Sequence, residues 1–176
     1  MHQLMIVDDE KNVLSALQRV CREQKQWEIE IYSDPQLALK RAQTANFDLF
    51  LSDYRMPQMN GVQFLCEVKE LQPDAMRLIL SGQTDREGLL NAINEAAIYR
   101  FIDKPWQEQD LLAILHQALD YHDVFLENRI LANQVREQQK ELDQRKLALE
   151  KYKVQHPDLF KIAWAEDGSI VLDDTE

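Results

Sequence analysis

The chain has 176 residues, 45% of them hydrophobic, and a formal net charge of −11. That length allows one ordinary domain with something added, and the apolar share supplies a real core, which excludes a chain disordered throughout. The acidic balance argues against direct nucleic-acid binding, which needs clustered Lys and Arg to neutralise phosphates, but it suits a divalent cation.

Taken in order, Leu4-Met5-Ile6-Val7 is a short apolar run that fits a fully buried parallel strand, and it stops abruptly at Asp8-Asp9-Glu10. Val13, Leu14, Leu17, Val20 and Cys21 follow at helical spacing. Residues 27–32 alternate as a second strand. Ser33 or Asp34 can cap the next helix, with Pro35 in its first turn. Phe47, Leu49, Phe50 and Leu51 form a third buried strand that ends on Asp53, and Pro57 and Gly61 open a loop behind it. A helix starts near Gly61 and stops before Pro73. Arg77-Leu78-Ile79-Leu80 is the fourth strand, ending at Ser81-Gly82, and a helix is expected over about 85–97. Tyr99-Arg100-Phe101-Ile102 is the fifth strand and runs into Asp103-Lys104-Pro105; another helix begins after Trp106.

Strands alternating with helices in this way predict an α/β fold, a (βα)5 doubly wound parallel sheet of the flavodoxin-like order 2-1-3-4-5. The last helix does not stop where such a domain should. Between Trp106 and His156 there is neither Gly nor Pro. A heptad begun at Tyr121 places Tyr121, Asn128, Val135, Leu142 and Leu149 at a, and Val124, Leu131, Gln138, Arg145 and Tyr152 at d. Seven of those ten are apolar, so a long C-terminal helix forming a dimeric coiled coil through 121–152 is expected, with Asn128 favouring a defined register. Pro157 ends it. Lys161-Ile162-Ala163-Trp164 and Ser169-Ile170-Val171-Leu172 flank Glu166-Asp167-Gly168, which signals a short β-hairpin tail. The expected division is 1–122, 123–156 and 157–176.

No run of 18 or more apolar residues occurs and the first strand begins almost at Met1, so neither a membrane span nor a signal peptide is expected. Cys21 and Cys66 lack CxxC spacing and read as free thiols in a reducing compartment, and the location is read as cytoplasmic. The four histidines lack zinc-ligand spacing.

The topology brings the strand ends together. Asp8, Asp9 and Asp53 lie at the carboxyl ends of neighbouring strands, where open α/β sheets bind ligands. Three ionised carboxylates in one cleft repel unless a hard cation neutralises them, and oxygen-only ligands point to Mg²⁺ or Mn²⁺. Lys104 adds a positive point charge and Ser81 a hydroxyl donor. A metal, a lysine, a hydroxyl and a carboxylate nucleophile are the parts phosphoryl transfer requires, with Asp53 as the attacking group.

Asp8-Asp9 after a first strand, Asp53 with Pro57 and Gly61 behind it, Ser81-Gly82 and Lys104-Pro105 together resemble the receiver domain of two-component response regulators, over residues 1 to about 122. The resemblance implies Asp53 as phosphoacceptor, charged by a histidine kinase or phosphotransfer protein. It implies Asp9 as direct Mg²⁺ ligand, Asp8 assisting, and the backbone carbonyl of Arg55 as a further ligand. It implies Ser81 and Phe101 as the switch pair and a cis peptide between Lys104 and Pro105. Phe101 stands where tyrosine is commoner, so an inward hydrogen bond from that ring is not available. Such a domain catalyses only its own phosphorylation and dephosphorylation, and its signal would reach an unknown protein effector through the surface of 85–102 and the following helix. The wording around Ser81 and 99–106 further resembles receivers preceding cyclic-di-GMP phosphodiesterases or hydrogenase-type transcription regulators. The alternative is therefore a regulatory fragment of a longer phosphodiesterase or transcription factor. A free-standing phosphatase is disfavoured, since no substrate pocket is evident.

Overall fold

The computed structural model of the protein describes residues 1–82 and 96–157, together with the backbone of two short strands at 163–164 and 170–171. The helix expected over 85–97 lies outside the described residues apart from Ala96 and Ala97, as does the hairpin turn 166–168.

The main sheet is built from β1 (His2–Val7), β2 (Trp27–Tyr32), β3 (Leu49–Asp53), β4 (Met76–Ser81) and β5 (Arg100–Asp103). They form one parallel sheet of order β2-β1-β3-β4-β5, the expected order, with Leu4 registered against Ile29 on one side and Leu49 on the other. The described helices are α1 (Lys11–Cys21), α2 (Pro35–Ala42), α3 (Gly61–Leu71) and α4 (Glu108–Gln155). Strand β5 begins and ends one residue later than its apolar run, because Tyr99 spends its amide on Arg77 O before the ladder starts.

Continuous apolar runs suit strands buried on both faces, and the period of two sorts their side chains. Leu4, Ile6, Leu49, Leu51, Leu78, Leu80 and Ile102 pack with Leu14 and Leu17 of α1 and Leu111, Leu115 and Leu119 of α4. Met5, Val7, Phe50 and Ile79 take the opposite face, with Ala38 of α2 and Phe64, Leu65 and Val68 of α3. A slip of one residue would exchange the two faces, so the register is strongly specified.

Local signals fix the helix starts. Asp34, not Ser33, caps α2, its Oδ1 accepting from the Gln36 amide at 2.8 Å, with Pro35 in the first turn. Asn60 and Gln63 close a reciprocal capping box at the start of α3.

Helix α4 runs unbroken for 48 residues, as the absence of Gly and Pro allows. By its internal contacts the chain divides into two compact units, 1–127 and 128–176. The first holds the sheet and its core. In the second, β6 (Ala163–Trp164) and β7 (Ile170–Val171) pair antiparallel, a short form of the expected hairpin.

Candidate functional site

The site is made by strand ends. Asp8 follows the last residue of β1, Asp53 ends β3, and Lys104 follows the last residue of β5. The parallel order brings all three to one edge of the sheet. The Lys104 ammonium lies 2.7 Å from Asp8 Oδ2 and 2.6 Å from Asp53 Oδ1, bridging two carboxylates separated by 45 positions in the chain. Asp8 is fully buried and Asp53 is 6% exposed. Neither carboxylate is left with a bare second oxygen. The Glu10 amide donates to Asp8 Oδ1 at 2.8 Å, and the Arg55 amide donates to Asp53 Oδ2 at 2.7 Å.

Backbone contacts set these positions. The Tyr54 amide donates to Leu80 O at 2.9 Å and the Lys104 amide to Ser81 O at 2.8 Å, so the loops leaving β3 and β5 both hang on the end of β4. The Lys104–Pro105 peptide bond is cis. Gly61 donates its amide to Tyr54 O at 2.9 Å, closing the loop behind Asp53. A Cβ at position 61 would run into the Asp53 carbonyl oxygen, so the loop closes this tightly only with glycine there. The Ser52 hydroxyl donates to that same carbonyl at 2.9 Å.

Burial pushes the Asp8 carboxyl above its ordinary value, although the Lys104 hydrogen bond and the Glu10 amide oppose the shift. Burial also works against the Lys104 charge, but its hydrogen bonds to Asp53 and Asp8 outweigh that and hold the ammonium above its usual range. The direction that decides the site is the lysine's: Lys104 stays charged and shared, while two buried carboxylates compete for one positive charge.

Other candidate residues sit around this centre. Asp9, next in the chain to Asp8, and Arg55, two residues after Asp53, are both exposed. Ser81 ends β4 and is 1% exposed, with its hydroxyl buried and, among the described residues, without a hydrogen-bond partner. Phe101 is half-buried on the α2–α3 side of the sheet, registered against Ile79, so its ring shares a face with Ser81. Among the described residues no three acidic, histidine or cysteine side chains converge as a ready cage for a metal. The donor set still suits a hard cation, since Mg²⁺ needs only one or two carboxylates besides carbonyl oxygen and water. Two buried carboxylates against one ammonium leave net negative charge for it to neutralise.

A profile of the response regulator receiver domain matches residues 4–116. The chain belongs to that family. It is 37% identical over 119 residues to the hydrogenase transcriptional regulatory protein HoxA of Bradyrhizobium diazoefficiens, covering 68% of this chain and 24% of that one. It is 30% identical over 152 residues to the cyclic di-GMP phosphodiesterase response regulator RpfG of Xanthomonas campestris pv. campestris, covering 78% of this chain and 40% of that one. Among solved structures, the signal receiver domain of an HD domain-containing protein from Pseudomonas fluorescens Pf-5 superposes with a TM-score of 0.67 at 31% identity, covering 72% of this chain and 92% of that one. The chain thus spans about a quarter of the length of the HoxA relative. Its receiver is homologous to those of response regulators.

Some site features were not foreseen in the receiver sequence. Ser52 and the Asn60–Gln63 capping box support the loop behind Asp53; the Asn-x-x-Gln spacing was the legible signal for the latter. A second polar cluster lies at the opposite end of the sheet. His2 Nδ1 is 3.6 Å from Asp48 Oδ2, and His122 Nδ1 is 3.6 Å from Asp123 Oδ1. These residues carry no common spacing in the sequence; only parallel strand pairing and the α4 contact bring them together.

Proposed function

We propose that this receiver is a phosphorylation-controlled switch of a two-component system in which Asp53 is the phosphoacceptor. The observation that carries the reading is Asp53 itself, a buried carboxylate at the end of a central strand, sharing Lys104 with Asp8. A carboxylate oxygen of Asp53 attacks the phosphorus of a phosphohistidine or acyl phosphate donor. The new bond makes an acyl phosphate, a mixed carboxylic–phosphoric anhydride, and the bond from phosphorus to the donor nitrogen or oxygen breaks, with its electron pair leaving on the donor. Lys104 balances charge on the transferred group. Asp9, Asp8 and Asp53, with the carbonyl of Arg55, are the residues to hold Mg²⁺ (or Mn²⁺), which supplies further neutralisation of phosphoryl oxygens. The Ser81 hydroxyl, buried and without a partner among the described residues, is the donor to follow the new phosphoryl group, and the Phe101 ring on the same face repacks with it.

The donor is a histidine kinase or phosphotransfer protein. The chain acts on no external substrate and catalyses only the gain and loss of its own phosphoryl group. We assign 1–122 to the receiver, 123–156 to a coiled-coil extension through which the chain forms a homodimer over 121–152, and 157–176 to the tail. The output is contact with a protein effector, not direct nucleic-acid or membrane binding, in the cytoplasm. The described residues include no helix long and apolar enough to cross a membrane. The reading of a regulatory fragment is compatible with the longer relatives but not favoured by them.

Incubation with acetyl phosphate and Mg²⁺, read by intact mass, tests the reading. One added phosphoryl group, absent in Asp53→Asn and absent when the metal is chelated, is the expected result. No adduct from any small phosphodonor refutes it.

A further inference from the structure

Resting on the proposed homodimer, we propose that α4 pairs with α4 of a second copy as a parallel, in-register, two-stranded coil, with both receivers at the same end. The stripe that would be covered is mostly apolar and largely open, although Tyr121 at its start also packs against the Tyr99 ring, with centroids 5.5 Å apart. Tyr121 is 55% exposed, Val124 56%, Val135 63% and Leu149 49%. Such a stripe on a long helix is an unfilled interface. The occupant follows from how the seam's polar residues and the flanking charges match.

In a parallel in-register pair every a and d residue meets its own copy. Seven layers are then apolar, and the three polar residues meet themselves: Asn128 with Asn128, Gln138 with Gln138, Arg145 with Arg145. Paired amides at Asn128 and Gln138 satisfy each other across the seam. The antiparallel pairing with the same overlap sets a against d. It puts Asn128 opposite Arg145 and, twice, Val135 opposite Gln138, which buries an amide against a side chain that offers it no partner. Of these two pairings with full overlap, only the parallel one avoids that mixed layer.

Charges beside the seam agree. Glu141 falls at g and Lys146 at the following e, so the parallel pair brings Glu141 of each copy to Lys146 of the other. The antiparallel pair sets g against g and e against e, and no such opposite pair forms. The cost of parallel pairing is Arg145 facing Arg145. Part of that cost is offset on the same helix, where Glu141 lies 2.7 Å from Arg145 as an i, i+4 bridge, so in the pair this carboxylate serves both Arg145 and the other copy's Lys146. Ile130, Leu147 and Val154 lie at outer heptad positions and stay exposed in this pairing.

The test uses the full chain carrying Arg145→Cys, oxidised under conditions where the unsubstituted protein, with its Cys21 and Cys66, does not cross-link. A parallel coil gives a disulfide-linked dimer. In the antiparallel pairing the two positions 145 are roughly 25 Å apart at 1.5 Å per residue, and no such link forms. An equimolar mixture of Asn128→Cys and Arg145→Cys proteins gives a 128–145 disulfide only if the helices are antiparallel, which would overturn the inference. Light scattering on the unsubstituted chain keeps the two claims separate. A monomer defeats the homodimer itself; a dimer without the 145–145 link defeats only the parallel arrangement; a trimer defeats the two-stranded coil. As a further check, Glu141→Lys should weaken the dimer about tenfold, with part of the loss recovered by adding Lys146→Glu.

Discussion

Replacing Lys104 by methionine keeps the length of the side chain and removes the ammonium that Asp8 and Asp53 share. Both carboxylates are buried, and both are within 2.7 Å of that ammonium. Removing one partner of a buried ion pair leaves the other's desolvation uncompensated, a loss of about 3–5 kcal/mol. Lys104 is itself 20% exposed, which admits some solvent screening and places the expectation near about 3 kcal/mol. The assay is urea unfolding of both proteins at pH 7.5, first with EDTA and then with Mg²⁺. If a cation neutralises the same carboxylates, Mg²⁺ stabilises Lys104→Met more than it stabilises the unsubstituted chain. The pH dependence has a fixed sign. Burial already favours the protonated form of Asp8, so in the variant the deficit shrinks as pH falls and that carboxyl takes up its proton. A loss below about 1 kcal/mol in EDTA, or an equal Mg²⁺ increment in the two proteins, would refute the reasoning.

Four other outcomes are expected. Gly61→Ala should destabilise the receiver by about 1–3 kcal/mol and slow phosphorylation, since its Cβ displaces the Asp53 carbonyl; chemical denaturation and intact-mass kinetics check both. Mg²⁺ affinity, followed by calorimetry, should fall with decreasing pH from above the ordinary carboxylate value of 3.8, because Asp8 is pushed upward and metal binding needs it ionised. Cys21, buried and with its thiol pushed up to about 11, should resist a thiol reagent at pH 8 in the folded protein and react after unfolding, as peptide mapping would show. Leu142→Asp should yield a monomer by light scattering while leaving acetyl phosphate labelling unchanged, because position 142 lies outside the compact unit that holds Asp53.

The central strands were legible because they are buried on both faces. Leu4 to Val7 and Leu49 to Leu51 are uninterrupted apolar runs, the first followed directly by Asp8 and the second, after Ser52, by Asp53. Once the order was inferred, convergence of Asp8, Asp53 and Lys104 followed from parallel pairing alone. Boundaries were less legible where a backbone group is used outside the ladder, as at Tyr99. The sequence also hid how the carboxylates spend their oxygens: the Glu10 and Arg55 amides that hold Asp8 and Asp53 are backbone donors, and no residue type announces them. The gathering of His2, Asp48, His122 and Asp123 was invisible for a different reason. It depends on where α4 crosses the far end of the sheet, a tertiary contact with no local pattern.

The central claim is that Asp53, and neither Asp8 nor Asp9, is the nucleophile. Borohydride reduces an aspartyl phosphate to the corresponding alcohol and marks the residue that carried it. After treatment with acetyl phosphate and Mg²⁺, reduction followed by peptide mapping should convert Asp53 alone to homoserine. A mark on Asp8 or Asp9, or an intact-mass adduct that leaves Asp53 unreduced, would contradict it.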